Sequence, residues 1–523
     1  MTAQTSAECN RDDRRRTSQN PPRQLWSPAA CSANKGPVSP LFPCLAAPDD
    51  RPLLTVDAVT LTARDLLAAA ARHAAFLAAH GVRPGDRIGV WTQPHLHTPV
   101  ALAANALCGV VSVPLNPKLG TREAAHVAAD AAPRLCLAAT PDDLPAGPLG
   151  PALALHHLSD RTCPIAPVPG ASSGPLLILY TSGTTGAPKG AVLSAAAIAS
   201  NLDALAHAWQ WRPGDTVLHA LPLFHVHGLV LGWFGSLRVG GRLHWQPHFD
   251  PAELARALPG AILFAVPTMF HRLIEASDHD PTIAPALRAA RLLISGSAAL
   301  PLREHHRLSA LAGRGVYERY GLTETLINCA VPVSGPPQPG RVGPPLPGVE
   351  LRLCDDERRP LRTDDDQSIG EIAVRGPQLF EHYLHNPAAT AAVRDQDGWF
   401  YTGDLATRDA AGSLRIVGRR ATDLIKSGGF KIGAGEIEAC LADHPGVLEV
   451  AILGAPDPDL GERVVAFVVP RDPADPPTLA TLGDHVAAAL APHKRPRAVY
   501  FVDALPRNAM GKLLKAELRA RLE

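Results

Sequence analysis

The chain has 523 residues, more than one simple core needs, so we expect two or more domains. Lys and Arg together number 50, as do Asp and Glu, which leaves no basic excess to predict a nucleic-acid partner. No run of about 18 apolar residues predicts a membrane span, and the nine cysteines show neither C-x-x-C nor zinc-binding spacing.

Residues 1–37 are polar, rich in Pro and Arg, and without periodicity, so we predict a disordered extension. They lack the apolar stretch of a signal peptide, and their acidic residues differ from a mitochondrial presequence. With cysteine usage typical of a reducing compartment, this favours a cytoplasmic protein. We also hypothesise that the extension is not native and that translation starts at Val38, which the N-terminal mass of the endogenous protein would test.

Helices and strands alternate over the next part of the chain. Residues 62–81 are rich in Ala and Leu and end at Gly81, which predicts a helix with a glycine C-cap. A strand is predicted at 87–93, a helix at 97–110 and a strand at 110–116. Further strands are predicted at 176–180, 262–266, 291–295, 349–354 and 368–376. This alternation favours parallel strands with crossover helices.

The pattern changes after residue 418. The following elements are predicted in order: a helix at 435–446, strands at 447–457 and 463–470, and helices at 481–496 and 516–522. We therefore predict an α/β fold with a large multi-subdomain N-terminal α/β region at 38–418. A small mobile C-terminal α+β domain at 419–523 follows, of a size that folds independently.

A glycine-rich segment, Thr181-Ser-Gly-Thr-Thr-Gly-Ala-Pro-Lys-Gly190, directly follows the strand at 176–180. Its glycines permit close backbone approach to a ligand, and its hydroxyls and Lys189 can cradle a polyphosphate. The spacing is neither a Walker A loop nor a dinucleotide fingerprint. A flexible linker is the alternative that composition alone leaves open. The candidate ligands are Thr181, Ser182, Gly183, Thr184, Thr185, Gly186 and Lys189.

This segment resembles the phosphate loop of adenylate-forming enzymes, which include acyl-CoA synthetases, luciferases and peptide-synthetase adenylation domains. The resemblance continues in the family's order through Tyr320-Gly-Leu-Thr-Glu-Thr325, Gly398-Trp-Phe-Tyr-Thr-Gly-Asp404, Ile416-Val-Gly-Arg419, Lys426-Ser-Gly-Gly-Phe-Lys-Ile432 and Pro506-Arg-Asn-Ala-Met-Gly-Lys512. It implies an enzyme that activates a carboxylic acid with ATP as an acyl-adenylate. The acyl group then passes to a thiol, with coenzyme A as the expected acceptor.

The resemblance also implies roles for single residues. Lys512 is the expected adenylation lysine, whose ammonium can bridge carboxylate and α-phosphate oxygens. Glu324 and Thr185 are expected to bind Mg²⁺, which prefers oxygen ligands, and Lys189 is a further catalytic candidate. The remaining nucleotide contacts are Tyr320 on adenine, Thr323 on phosphate, Asp404 on the ribose hydroxyls and Arg419 on ribose or phosphate. From the residues alone, core packing, a turn or a solvated position stays open for Tyr320, Asp404 and Lys512.

Members of the family alternate between two positions of the small domain. The resemblance implies that Lys426, Gly428 and Gly429 form the loop presented for thiol attack. Ala421 stands where the family's hinge often has Asp or Lys, so the hinge residue itself is open.

The acyl-pocket segments resemble bacterial malonyl-CoA synthetases. They are Leu221-Pro-Leu-Phe-His-Val-His-Gly-Leu229, Val266-Pro-Thr-Met-Phe-His-Arg272, Ser295-Gly-Ser-Ala-Ala-Leu-Pro301 and the run from Ala421 to Ile437. An acid with two carboxylates keeps one charge after adenylation, and an Arg can grip it bidentately. The resemblance implies that Arg272 has this role. The alternative is that Arg272 lies on the solvent-exposed face of a helix and binds no substrate. Further acyl candidates are His225, Gly296, Ser297 and Leu322, while His227 and His271 are expected at packing or rim positions.

We therefore predict a malonate–CoA ligase, with methylmalonate as a further candidate acid and ATP, coenzyme A and Mg²⁺ as co-substrates and cofactor. Another acyl- or aryl-CoA ligase, or an adenylation enzyme that loads a carrier protein in trans, is the alternative. A binding protein without activity is disfavoured by the intact Lys189, Glu324, Asp404 and Lys512. Neither a nucleic-acid nor a membrane partner is expected, and the sequence does not predict an oligomeric state.

Overall fold

The computed structural model describes residues 41–507 and 513–522, apart from 141, 143–148, 150, 151, 165, 167, 169–173, 182–186, 363 and 421. The extension at 1–37 therefore lies outside the described residues. The described strands are β1 (Pro52–Val56), β2 (Val59–Thr62), β3 (Arg87–Trp91), β4 (Val111–Leu115), β5 (Leu135–Ala138), β6 (Ala152–Ala154), β7 (Pro175–Thr181), β8 (Lys189–Ser194), β9 (Thr216–His219), β10 (Arg242–Trp245), β11 (Ile262–Ala265), β12 (Leu292–Ser295), β13 (Tyr317–Leu322), β14 (Leu326–Ala330), β15 (Glu350–Cys354), β16 (Gly370–Arg375), β17 (His382–Tyr383), β18 (Phe400–Arg408), β19 (Leu414–Arg419), β20 (Leu424–Ser427), β21 (Phe430–Gly433), β22 (Val447–Asp457), β23 (Gly461–Pro470) and β24 (Ala498–Phe501).

The described α-helices connect these strands. They are α1 (Ala63–Ala79), α2 (His97–Leu107), α3 (Thr121–Ala131), α4 (Ala195–Ala208), α5 (Gly235–Val239), α6 (Pro251–Ala257), α7 (Pro267–Ser277), α8 (Ile283–Ala289), α9 (Leu302–Ala312), α10 (Pro387–Val393), α11 (Ala434–Ala442), α12 (Leu479–Ala489) and α13 (Lys515–Arg519). Residues His227–Phe234 wind as a π-helix directly before α5. No helix within the described ranges is both long and apolar enough to cross a membrane.

Two large sheets dominate the N-terminal region. One has eight strands in the order β14-β13-β12-β11-β9-β10-β1-β2, and the other has seven in the order β17-β8-β7-β4-β3-β5-β6. Strands β3, β4 and β5 pair in parallel, as do β9 to β12, which confirms the predicted crossover arrangement. Strands covered by helices on both faces are almost continuously apolar, as in β4, all of whose residues are buried.

Two smaller sheets follow. Strands β15, β16, β18 and β19 form an antiparallel sheet that ends at Arg419. Strands β20 to β24 form a five-stranded sheet of their own, in which β22 and β23 make a long antiparallel pair. The mixed α/β fold with a large N-terminal region and a small C-terminal domain is thus as predicted, and the boundary at 418/419 stays a prediction.

The hydrophobic cores follow the same division. The largest cluster draws its buried residues from the range 41–414, whereas separate clusters are built wholly from residues 425–522. One of these clusters contains Ile437 of α11, Leu482 of α12 and Val464 of β23. Each part therefore buries apolar surface independently of the other.

Local sequence signals explain where α1 begins and ends and where α12 ends. Thr62 and Asp65 form a capping box that starts α1, and Gly81 follows its end with φ of 67°. The helix predicted at 481–496 instead ends at Ala489, because Leu490 is extended and Pro492 begins a short 3₁₀ turn. A proline two residues after the C-cap Leu490 is a stop signal, so the prediction that this helix continues to residue 496 was wrong.

Candidate active site

Two paired strands flank the predicted phosphate segment. Strands β7 and β8 pair antiparallel with Thr181 opposite Lys189, and the Thr181 hydroxyl donates to the Lys189 carbonyl at 3.4 Å. Ser182, Gly183, Thr184, Thr185 and Gly186 lie outside the described residues. The Lys189 ammonium lies 5.0 Å from the centre of the Tyr383 ring. The Lys189 cation thus lies at the first residue of β8, beside Tyr383.

A tight turn between β13 and β14 presents Thr323 and Glu324. Leu322 pairs with Leu326, and a side chain at Gly321 would overlap the Leu326 carbonyl, so only glycine fits there. The Thr325 hydroxyl accepts a hydrogen bond from the Leu322 backbone N–H at 3.3 Å and closes the turn. Thr323 and Glu324 are therefore held half-buried at its tip.

Tyr383 connects Glu324 to Lys189. The Tyr383 hydroxyl donates to Glu324 Oε1 at 2.7 Å, and burial together with the Glu324 charge raises the pKa of Tyr383. Its ring contacts the Lys189 ammonium, a cation–π arrangement. Sequence reasoning missed Tyr383, because a single Tyr in Glu381-His-Tyr-Leu-His385 forms no recognisable pattern.

A second group consists of Tyr320, Asp404 and Arg419. The Tyr320 hydroxyl donates to Asp404 Oδ2 at 2.7 Å, and Arg419 Nε lies 3.0 Å from Asp404 Oδ1. Burial, followed by the Asp404 charge, raises the pKa of Tyr320 well above its ordinary value. Asp404 and Arg419 come from the paired strands β18 and β19, which set them opposite each other. The structure thus brings together three of the predicted nucleotide contacts.

The loop after β12, which is predicted to line the acyl pocket, is strained at Ser297. Ser297 has a positive φ of 74°, which costs a residue other than glycine about 1–3 kcal/mol and is common at functional sites. Its hydroxyl lies 3.4 Å from His227 Nδ1 at the start of the π-helix. His227 is buried, and desolvation lowers its pKa well below the ordinary value. His227 therefore occupies a buried packing position against Phe264, and its Nδ1 also faces Ser297.

Arg319 lies beside this loop and has no acidic partner among the described residues. Its side chain is 7 % exposed, and its Nε and Nη2 are buried without a hydrogen-bond acceptor in the described part of the chain. A methyl group on Gly296 would overlap the guanidinium, so Gly296 lies directly against it. Desolvation lowers the pKa of Arg319 to about 10, and the side chain still keeps its charge at neutral pH. Sequence reasoning missed Arg319, since its burial follows only from the tertiary structure.

The other acyl candidates stand apart from Arg319. Arg272 lies on α7, is exposed, and forms no hydrogen bond or ion pair with any described residue. His225 is partly buried against Phe224, and burial lowers its pKa to about 4. Leu322 packs at the edge of the large core. Gly296 and Ser297 are thus the predicted acyl residues that the structure joins into one cluster with His227 and Arg319.

The predicted thiol-transfer loop is a two-residue hairpin turn. Gly428 and Gly429 both have positive φ, 57° and 81°, and connect β20 to β21 with Ser427 opposite Phe430. Positive φ at both central positions is the geometry that favours glycine in such hairpins. Lys426 is exposed on β20, and the Phe430 ring, 51 % exposed, stacks on His493. The turn therefore presents a small, open backbone surface beside an exposed aromatic ring.

Lys512 and Ala421 lie outside the described residues. On either side of residues 508–512, Arg507 pairs with Leu513, and the Leu514 backbone N–H donates to the Pro506 carbonyl at 2.8 Å. Further along, the Lys515 ammonium lies 2.6 Å from Asp423 and Glu438.

The described residues contain no group of three His, Cys, Asp or Glu side chains that could hold a metal ion. Mg²⁺ is usually bound through one or two carboxylates together with substrate phosphates and water. Glu324, whose Oε1 accepts from Tyr383, supplies one such carboxylate next to Lys189. The donor set therefore fits a Mg²⁺ ion that arrives with its nucleotide.

Comparison with known families decides the identity. Residues 44–384 match the model of the AMP-binding enzyme family, and residues 436–512 match the AMP-binding enzyme C-terminal domain. The chain belongs to the AMP-binding enzyme family. As an AMP-binding enzyme it is an AMP-forming acid–thiol ligase, for which ATP and coenzyme A are substrates.

Two curated relatives of this AMP-binding enzyme cover most of both chains. The human mitochondrial malonate–CoA ligase ACSF3 is 34% identical over 463 residues, with 80% of this chain and 80% of the relative covered. The sulfoacetate–CoA ligase of Cupriavidus necator is 33% identical over 524 residues, with 94% and 97% covered.

Two solved structures are similar to this chain over most of their length. A malonyl-CoA ligase in a ternary product complex with methylmalonyl-CoA and AMP is 53% identical, with a TM-score of 0.67, and covers 89% of this chain and 100% of its own. ATP-bound MatB from Rhodopseudomonas palustris is 34% identical, with a TM-score of 0.82, and covers 92% of this chain and 98% of its own.

Proposed function

We propose that this AMP-binding enzyme is a malonate–CoA ligase, which converts malonate, ATP and coenzyme A into malonyl-CoA, AMP and pyrophosphate. Methylmalonate is a second candidate substrate. The proposal is supported by the malonate- and methylmalonate-related names of the ACSF3 relative and the product-complex structure. The residue roles below belong to the same proposal.

The observation that carries the acid specificity is the unpaired charge of Arg319. A buried guanidinium without an anion is costly, and several kcal/mol separate a paired from an unpaired buried charge. Malonate keeps one carboxylate after the other has been activated. That carboxylate can pair bidentately with Arg319 and accept a hydrogen bond from Ser297. Monocarboxylic acids leave Arg319 unpaired, so they should be poor substrates.

In the first step, the reacting carboxylate of malonate attacks the α-phosphorus of ATP and pyrophosphate leaves. Lys189 and Lys512 offset the negative charge that the two anions bring together. Asp404, which the Tyr320 hydroxyl and Arg419 orient, binds the ribose hydroxyls. Mg²⁺, when bound at Glu324 with the phosphates, supplies further charge neutralisation. The product is malonyl-adenylate.

In the second step, the coenzyme A thiol loses its proton and its sulfur attacks the malonyl carbonyl carbon. The bond to the AMP phosphate oxygen breaks, so malonyl-CoA and AMP leave. We assign the turn at Gly428 and Gly429 to the passage for the pantetheine arm, because it has no side chains to obstruct a narrow chain. Lys426 lies beside this turn on β20.

The test is pyrophosphate release with malonate, methylmalonate, sulfoacetate, acetate and octanoate, each with and without coenzyme A. We expect malonate to give the highest kcat/KM and acetate and octanoate to fall at least about 100-fold lower, since both lack a second anion for Arg319. Equal rates with octanoate would refute the proposed acid. A preference for sulfoacetate would keep the distal-anion site but replace malonate.

A cytoplasmic location is also a proposal. The sequence favours it, whereas the human relative is named as mitochondrial. Fractionation of the native cells with immunodetection tests it, and recovery of the protein in an organelle or membrane fraction would contradict it.

A further inference from the structure

The N-terminus of α9 lacks a cap from its own chain segment. The residue before the helix is Pro301, which offers no side-chain acceptor to the first free backbone N–H groups. Asp443, at the end of α11 in the small C-terminal domain, supplies one instead, because its Oδ1 accepts from the Arg303 backbone N–H at 3.1 Å. A carboxylate at this position also interacts favourably with the helix dipole.

The helix that receives this cap is continuous with the acyl-pocket loop. Gly296 and Ser297 precede α9 by only a few residues, and Leu300 at the end of the loop is held through its backbone N–H by Glu318 at 3.1 Å. Glu318 is the neighbour of Arg319 in β13. Asp443 therefore contacts the element that leads directly out of the proposed malonate pocket.

The chain superposes differently on the two solved relatives. It matches ATP-bound MatB with a TM-score of 0.82 at 34% identity, but the product complex with only 0.67 at 53% identity. As a whole, the structure in which Asp443 caps α9 thus superposes better on the ATP-bound relative than on the complex that contains the thioester product.

We propose that Asp443 is a positioning residue that acts as a latch. It holds the small domain against α9 while the adenylate forms and releases α9 for the transfer to coenzyme A. This inference rests on the proposed function, because it needs two successive reactions with different domain positions. It assigns to one carboxylate of the small domain a role in deciding which of the two reactions the enzyme favours.

The latch is tested with Asp443→Ala, in which the cap is lost, and Asp443→Asn, in which a side-chain oxygen can still accept. Asp484→Ala removes an exposed acid of α12 in the same domain and is the matched control. Two rates are measured: malonate-dependent ATP–pyrophosphate exchange, and single-turnover formation of malonyl-CoA when coenzyme A is mixed with enzyme already carrying malonyl-adenylate.

For Asp443→Ala we expect exchange to fall about fivefold, as for loss of a typical cap, while the transfer rate holds or rises. Asp443→Asn and Asp484→Ala should match the wild type in both rates. An unchanged ratio of the two rates in Asp443→Ala, whether both hold or both fall together, would overturn the latch. Failure of the proposed function is distinguishable, since the wild-type enzyme would then show no malonate-dependent exchange.

Discussion

Arg319 carries a buried positive charge beside the loop of Gly296 and Ser297, and no described acid neutralises it. Such an arrangement is unfavourable in the free protein, because no ion pair with a described residue offsets the desolvation of the guanidinium. Enzymes hold unfavourable charges where a ligand of opposite sign binds, since the ligand then gains the full interaction. In the proposed function, Arg319 is therefore a specificity residue, whose desolvation is offset when the second carboxylate binds.

Substitution of Arg319 by Met separates this role from a structural one. We expect KM for malonate to rise at least about 30-fold, equivalent to about 2 kcal/mol, because the distal carboxylate loses a buried partner. The Tm should not fall, since an unpaired buried charge is replaced by an apolar side chain of similar length. Steady-state kinetics and thermal unfolding measure the two effects.

Arg272→Leu is the comparison variant, because the family resemblance assigns the distal carboxylate to that residue. Exposed on α7 and without a partner in the described structure, Arg272 should contribute less to KM for malonate than Arg319. If the malonate preference is lost in Arg272→Leu and kept in Arg319→Met, the assignment reverts to Arg272.

Tyr383 offers a second test at the residue scale. Its hydroxyl fixes Glu324 at 2.7 Å, and a hydrogen bond to a charged group contributes about 1.5–3 kcal/mol. In Tyr383→Phe we expect the adenylation rate to fall about tenfold and the Mg²⁺ concentration for half-maximal rate to rise. Tyr317→Phe, which loses a bond to the Gly335 carbonyl, is the control. An unaltered Mg²⁺ dependence in Tyr383→Phe would contradict the proposed orientation of Glu324.

The motif residues could be located from sequence because their loops have characteristic glycine, hydroxyl and charge patterns. Tyr320, Asp404 and Arg419 indeed meet in the structure. Arg319, directly beside Tyr320 in sequence, could not be singled out, because an Arg within a strand is exposed more often than buried. Its burial depends on how β12 and β13 pair, which is a tertiary property.

At the scale of elements, a buried histidine pair joins α1, α2 and the turn at His156–Leu158. His73 Nδ1 lies 2.9 Å from His157 Nε2, and His73 Nε2 lies 2.7 Å from Asn105 Oδ1. Desolvation lowers the pKa of His73 to about 4 and that of His157 to about 3. Both rings are therefore neutral in the folded protein at physiological pH.

This pair should make the fold sensitive to acid. The unfolded chain binds protons near pH 6.5, whereas the folded protein resists protonation down to about pH 4 for His73 and about pH 3 for His157. The stability is thus full above pH 6.5 and declines as the pH falls below it, by up to about 1.4 kcal/mol per pH unit for each ring. Urea unfolding between pH 7.5 and 5 measures the slope.

His73→Gln is the variant that checks this cause, since Gln can still bond to Asn105 but does not titrate. We expect the slope of the unfolding free energy against pH to decrease by about 1.4 kcal/mol per pH unit, the contribution of one titrating proton. An identical slope in His73→Gln and in the wild type would contradict the assignment to this pair.

Element types were predictable where one periodicity or one cap dominates, as for α1 with its Thr62 cap and for β22, whose bounds agree with the prediction. The end of α12 at Ala489 was also predictable, because Pro492 marks it, but the prediction extended the helix past that proline. The π-helix at His227–Phe234 has no sequence signature of its own, although π-helical segments are frequent at functional sites.

At the scale of the whole molecule, the separate cores on either side of residue 419 provide the physical basis for two domains. Clusters built from residues 425–522 share no buried member with the large cluster of residues 41–414. Movement of one part against the other therefore exposes little core. The change in helix and strand pattern after residue 418 indicated this division, whereas the contact of Asp443 with α9 could not be predicted, since nothing in the sequence links them.

In the proposed function, the acid is activated as its adenylate while Lys189 and Lys512 offset the negative charge of the reacting groups. Malonate-dependent ATP–pyrophosphate exchange in Lys512→Ala tests it most directly, with transfer from supplied malonyl-adenylate to coenzyme A as the internal control. We predict that exchange falls at least about 100-fold while the transfer persists, because only the first reaction needs this ammonium. Exchange at the wild-type rate in Lys512→Ala would contradict the account.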